Sequence, residues 1–238
     1  MEENFKYVFC TIAIGERYLN SAVNFALELN KKSTSHKVLI VTDSDDLNID
    51  NTIFVKIPEK ETLFINNYFN YNLKYLPILE SSKLDVEFVL YFDSDWRIYE
   101  DFQEILILKF LKNFNSSDID FIFERPHYIG AKHDLNTCFW RHKIEPYKLM
   151  ETDKYDNGHV CNEQFLAFKN NEKLSVFCEK WKERNEFGAE NNIWAFAEGL
   201  EIGMSAIDSE MNFSWSGLND MKSCFIFNSA QDIEYIRF

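Results

Sequence analysis

The chain has 238 residues, 46% apolar and 16% aromatic, with only 7 glycines and 4 prolines; that suffices for a sizeable core and excludes global disorder and collagen-like or low-complexity chains. Its 25 basic and 39 acidic side chains leave a formal charge of −14. Such an excess argues against a nucleic-acid partner, whose phosphates demand cationic surface, while leaving room for a local basic pocket.

Residues 7–12 form an apolar, β-rich run followed by Gly15. A helical pattern comes next, with Tyr18, Ala22, Phe25, Ala26 and Leu29 recurring at three- and four-residue spacings. Residues 37–42 (KVLIVT) read as a second buried strand that ends at Asp43. A short strand over 51–57 and a helix over 72–84 carrying Leu73, Leu76, Ile78 and Leu79 follow. Residues 87–92 (EFVLYF) form a nearly continuous apolar strand that ends at Asp93. Beyond it the pattern predicts short strands at 121–123, 164–169 and 224–227, helices over 171–185 and 192–200, and a short apolar run at 204–207. Alternating strands and helices with apolar strands predict an α/β fold with a mostly parallel mixed sheet covered on both faces. Ligands of such sheets bind beyond the carboxyl ends of the strands. That rule gathers residues 11–15, Asp43 and residues 93–95 into one crevice.

The five cysteines, Cys10, Cys138, Cys161, Cys178 and Cys224, are odd in number and widely spaced, with no Cys-x-x-Cys. Reduced, mostly buried thiols are expected. No basic-then-apolar leader opens the sequence, and the longest apolar runs, such as 88–92 and 105–108, are too short for a bilayer. A cytoplasmic protein is expected, at most peripheral at the inner membrane face.

The segment 88–97 (FVLYFDSDWR) carries the sharpest chemistry. Asp93 and Asp95 stand two apart just past a buried strand, where both carboxylates can converge on one cation. Mg²⁺ and Mn²⁺ suit one or two carboxylates plus substrate phosphates and water. A cation bridging a diphosphate would assist its departure as a leaving group. The plain alternative is a solvated turn whose acids cap the next helix.

This strand and its Asp-Ser-Asp resemble the Asp-x-Asp signature of GT-A glycosyltransferases, which use nucleotide sugars, in particular the glycogenin and lipopolysaccharide-galactosyltransferase type. The stretch 8–29 followed by KVLIVTDSDD is similar to their opening strand, nucleotide-binding turn, helix and second strand. Residues 73–84 resemble the helix before the signature, with Lys74 where such enzymes often carry a basic residue. Residues 161–170 (CNEQFLAFKN) resemble a later strand beginning Asn-(Ala/Ser)-Gly. Asn162 matches its Asn, whereas Glu163 and Gln164 depart from the small pair. Glu190-Asn191 stands where that type often has Asp-Gln. Residues 207–215 resemble a Leu-Pro-x-x-x-Asn segment, and Asn228 falls where a metal-binding His is often found.

The resemblance implies one nucleotide-diphospho-sugar transferase-like domain over 1–238, with a nucleotide-binding half (1–95) and an acceptor half (96–238). It implies a metal-dependent enzyme moving a sugar, from a UDP-sugar by this likeness, to a glycan, lipid-linked sugar or protein. In that scheme Asp93, Asp95 and Asn228 hold Mn²⁺ or Mg²⁺. Thr11, Ile12 and Ala13 line the base or ribose with backbone amides and carbonyls, and Lys74 and Ser94 meet the donor. Glu163 and Glu190, with Asn162, are the candidates near the anomeric carbon, and Asp156 stands behind them. Four of the five histidines (His127, His133, His142 and His159) fall in a polar, aromatic segment over 124–159 that suits a sugar acceptor or a lid.

Three other readings compete. Haloacid-dehalogenase-type phosphatases also place Asp-x-Asp after an apolar strand, but near the start of the chain and before Gly/Thr or Val rather than Trp96-Arg97. Nucleotidyltransferases carry a Gly-rich opening loop, where residues 13–17 have one Gly. A non-catalytic nucleotide-sugar or carbohydrate-binding partner protein would account for Asn228 and the missing small pair.

Overall fold

The structure, a computed structural model, describes residues 5–33, 36–44, 47–59, 61, 63–65, 67–98, 102–128, 159–191, 198–214 and 225–226, with the side chains of 124–128, 159–160, 162–163 and 225–226 excepted. Strand β1 (Tyr7–Ala13) leads into helix α1 (Glu16–Lys32) through Gly15. Gly15 has φ 83°, a left-handed conformation that side chains with a Cβ resist. Its amide donates to Asp43 Oδ1 at 3.0 Å, so the end of β2 (Lys37–Thr42) fixes the β1–α1 turn. Strand β3 (Thr52–Lys56) and a small hairpin, β4 (Phe64–Ile65) with β5 (Tyr68–Phe69), come next.

The predicted helix over 72–84 is two pieces. A 3-10 turn, Tyr71–Lys74, runs into α2 (Tyr75–Ser82). Pro77 sits in the first turn of α2, where its missing N–H has no helical partner to lose. Strand β6 (Phe88–Phe92), the short β7 (Arg97–Ile98) and helix α3 (Glu104–Asn115) follow. The apolar run 105–108 thus belongs to a helix, whose Ile107, Phe110, Leu111 and Phe114 are buried.

Strands β8 (Phe121–Tyr128) and β9 (His159–Lys169) are longer than predicted. Their ladder continues across irregularities at Phe123/Glu124 and Glu124/His127, so the backbone pairs where the polar sequence shows no strand pattern. Helix α4 (Glu172–Glu190) is capped by Asn171, whose side chain accepts the Lys173 amide. The helix predicted over 192–200 overlaps α5 (Glu198–Asp208), which contains the apolar run 204–207. Residues 192–197 lie outside the described residues, as do 129–158. Strand β10 (Phe213–Ser214) joins the main sheet, and β11 (Phe225–Ile226) pairs antiparallel with β7.

The seven-stranded sheet has the order β10-β8-β9-β6-β1-β2-β3. The pairs β6–β1, β1–β2, β2–β3 and β8–β10 are parallel, and β9 is antiparallel to both of its neighbours. Side chains alternate between two cores. Tyr7 and Phe9 of β1 and Phe88, Leu90 and Phe92 of β6 pack with α1 and α3. Val8, Cys10, Ile12, Val89 and Tyr91 face α2, α4 and α5. Tyr18, predicted on the inward face of α1, is 40% exposed, and Leu19 takes the inward position. Among the described residues no helix is long and apolar enough to cross a membrane.

Helix α1 docks through Phe25, which stacks on Phe92 at 4.1 Å and meets Phe9 edge-on at 5.8 Å. Phe25→Ala should therefore lose about 3–5 kcal/mol of stability in denaturant unfolding. A loss under about 1 kcal/mol would contradict this docking of α1.

Candidate functional site

The backbone turns sharply where β6 ends. Trp96 N–H donates to Asp93 O at 3.1 Å, so Ser94 and Asp95 are the central residues of a four-residue turn. Trp96 is buried and stacks on Phe165 of β9 at 5.5 Å. Asp93 N–H donates to Gln164 O at 3.0 Å, which ties the turn to β9 from the other side. Both acids are thereby held at the sheet's rim, only partly exposed.

A cavity of about 330 Å³ opens beside this turn, at the carboxyl ends of β1 and β6. Ile12, Ile14 and Tyr91 form its floor. Tyr18 from α1, Phe64 and Phe69 from the hairpin and Tyr71 from the 3-10 turn wall it with aromatic rings, while Lys74, Asp93, Ser94 and Asp95 supply the polar side. Among the described residues lining it, Lys74 is the one cation.

Lys74 is 4% exposed, not solvated. Its Nζ lies 3.0 Å from Asp93 Oδ1 and 3.9 Å from Glu198 Oε1. The rings of Tyr71 and Tyr91 lie 5.6 and 5.9 Å from the ammonium, close enough for cation–π attraction. Buried asparagines fix the 3-10 turn that carries it. Asn70 Nδ2 donates to Asn185 Oδ1 at 2.7 Å, and Trp181 Nε1 donates to Asn72 Oδ1 at 3.3 Å, so the turn is fastened to α4.

Burial and, next, the neighbouring Asp93 charge push the Asp95 carboxyl up to about 6. Two acids on one turn therefore resist ionising together, and a divalent cation would relieve that conflict. This is the fit of the site to a metal. Among the described residues no third His, Cys, Asp or Glu joins the pair, so the remaining positions of a cation there fall to substrate oxygens and water. Asn228 lies outside the described residues, although the β11–β7 pairing sets Ile226 opposite Arg97, two residues from Asp95.

Of the other predicted site residues, Ile12 and Ser94 line the cavity, but Thr11 and Ala13 do not. Both are fully buried, and by strand alternation they face the α1 side of the sheet. The backbone at Asn162 and Glu163 belongs to β9, next to the Gln164 carbonyl that holds Asp93. Their side chains, and all of Asp156, fall outside the described residues. Glu190 is exposed at the last residue of α4 and does not line the cavity. Sequence reasoning missed Glu198, a carboxylate 6% exposed at the first position of α5. The available signal was a pair of acids, Glu198 and Glu201, set in a segment rich in apolar and small residues (EGLEIGMSAI), where solvated acids are out of place.

No family profile and no curated protein sequence matches the chain. Solved structures do. The galactosyltransferase LgtC, in complex with donor and acceptor sugar analogs, superposes with a TM-score of 0.53 over 87% of this chain and 73% of its own, at 11% identity. This fold is GT-A-like. An active-site mutant of the same enzyme matches with a TM-score of 0.47 over 83% of this chain and 69% of its own, at 13% identity. Of the crevice predicted from the strand ends, the cavity takes Ile12, Ile14 and residues 93–95 but not Asp43, which instead accepts the Gly15 amide.

The raised Asp95 carboxyl has a consequence for stability. A carboxyl whose folded pKa exceeds its unfolded value favours folding while protonated and opposes it once ionised. Asp95 thus makes the metal-free protein less stable as the pH rises from 3.8 through about 6. In EDTA at pH 7.5, Asp95→Asn should be more stable than wild type by on the order of 1–3 kcal/mol, with a smaller gain at pH 5. Denaturant unfolding at the two pH values measures it, and equal stabilities at pH 7.5 would show that the acid is not strained.

Proposed function

We propose that this chain is a divalent-metal-dependent glycosyltransferase that binds a nucleoside-diphosphate sugar, a UDP-sugar, in the cavity beside Asp93 and Asp95, and transfers the sugar to a glycan, lipid-linked sugar or protein hydroxyl. The observation that carries this reading is the charge of the site. Among the described residues, Asp93, Asp95 and Glu198 outnumber the cations there, Lys74, which contacts Asp93 and lies near Glu198, and Arg17, whose charge reaches Asp95. A diphosphate approaching that cluster meets net repulsion unless a cation enters with it. The aromatic walls suit a planar base, and the volume lies at the lower end of the roughly 300–1,000 Å³ of small-molecule sites. The GT-A-like fold and the sugar analogs bound by LgtC support the same substrate class.

Asp93 and Asp95 would hold Mg²⁺ or Mn²⁺. The bound ion would supply Lewis-acid neutralisation of the diphosphate. Lys74 adds a fixed positive charge beside it, and Ser94, at the crest of the turn, faces the same cavity. Ile12 with the aromatic walls excludes water from the base. Two carboxylates stand first for the group near the reacting carbon. Glu198, which like Glu190 does not line the cavity, is buried beside Lys74, and Glu163 is carried on the strand segment bonded to the Asp turn. Glu190, exposed at the end of α4, ranks behind them.

Calorimetric titration of UDP, GDP, CMP and dTDP with Mn²⁺, then with EDTA, tests the reading. UDP should bind with Mn²⁺, and EDTA should abolish the binding. Asp93→Asn, which keeps an oxygen for Tyr91 and Lys74, should weaken the Mn²⁺-dependent binding at least about tenfold without unfolding the protein. Failure of folded wild type to bind any nucleotide would refute the proposal. Binding without transfer or slow donor hydrolysis would make the chain a binding protein.

A further inference from the structure

Tyr91 lies on β6 two residues before Asp93, so the two side chains project from the same face of the sheet. The tyrosine is fully buried, and its hydroxyl donates to Asp93 Oδ1 at 3.0 Å. Lys74 Nζ reaches that same oxygen at 3.0 Å, and its ammonium lies 5.9 Å from the Tyr91 ring. One tyrosine therefore touches both the acid and the cation of the site, by its hydroxyl and by its ring. A buried phenol seeks a hydrogen-bond partner, and here the partner offered is a carboxylate, which makes the bond charge-assisted.

We propose that Tyr91 is a positioning residue: its hydroxyl and Lys74 together grip the Oδ1 edge of Asp93, so that the carboxylate meets an incoming divalent cation in one set orientation. The inference rests on the reading of Asp93 as a metal ligand. An Asp side chain at a turn otherwise samples several rotamers, and fixing one of them would weaken ion binding by the lost freedom. Two donors on one oxygen fix it before the ion arrives. Outer partners of metal-binding carboxylates act in this way, and their removal typically lowers metal affinity about ten- to a hundredfold.

Tyr91→Phe separates the roles, because it keeps the ring beside Lys74 and the packing of β6 and removes only the hydroxyl. Mn²⁺ is titrated into wild type and variant at saturating UDP, and free Mn²⁺ is read by electron paramagnetic resonance. The variant should bind Mn²⁺ about ten- to a hundredfold more weakly. In excess Mn²⁺ its affinity for UDP should return to within about twofold of wild type, a rescue that a deformed pocket would not allow. Mn²⁺ affinity within about twofold of wild type would overturn the inference, and so would a loss of UDP binding that excess Mn²⁺ fails to restore. If wild type itself binds no Mn²⁺ with UDP, the metal reading falls and the inference falls with it.

Discussion

A lysine ammonium held out of water beside a carboxylate sets the terms for the rest of the site. Lys74 is 4% exposed, and removing a charge from water is expensive unless partners replace the lost solvation. The replacements are four residues from three elements. Asp93 closes β6, Glu198 opens α5, Tyr91 stands inside β6, and Tyr71 sits in the same 3-10 turn as the lysine. Each has meaning only if the others are in place, so the ion pair couples the centre of the sheet to two helical elements. The Asn70–Asn185 and Trp181–Asn72 bonds serve this end, because they keep the lysine's turn from moving away from its acids.

That arrangement leaves a surplus of negative charge, and Asp95 bears it. Its carboxyl is pushed up to about 6 by burial and by Asp93. A purely structural turn would gain from an amide at this position. The acid is thus a local conflict of the kind that clusters at functional sites, since burial and Asp93 both oppose its charge. Under the proposed function the same surplus is why Lys74, already paired with Asp93 and near Glu198, would need a cation beside it to receive a diphosphate.

Much of this architecture was legible in the sequence, for reasons that differ by element. Strands β1, β2 and β6 are buried on both faces and read as continuous apolar runs, and Gly15 and Asp43 mark the turn they share. The Asp93–Asp95 turn was legible because acids just past such a strand stand out. The second half was less legible. Its strand ladder crosses bulges between Phe123 and His127, which break the period-two pattern. Helix α3 was visible only as an apolar run, and the continuation of α5 past residue 200 was missed because its buried face includes Glu198 and Glu201, acids that periodicity assigns to solvent. The burial of Lys74 was hidden for the same reason: a charge is buried only by tertiary partners, and these come from positions 91, 93 and 198. The wall formed by Phe64 and Phe69 belongs to two-residue strands too short to carry any period. Thr11 and Ala13 show the limit of reading a strand end as a unit, since alternate residues there face opposite cores.

The reversed strand β9 ties the chemistry to the fold. In an all-parallel sheet the strand beside β6 would reach the rim only at its carboxyl end. Running antiparallel, β9 passes the Asp turn midway along its length, with Phe165 opposite Phe92 and the Gln164 carbonyl accepting the Asp93 amide. Phe165 also stacks on Trp96, so the same short stretch holds both ends of the four-residue turn. The residues just before it, Asn162 and Glu163, are therefore placed at the rim by backbone pairing, whatever their side chains do. The reversal thus lets a segment some seventy residues downstream brace the acids from the opposite side, and the turn can hold two like charges close together without opening.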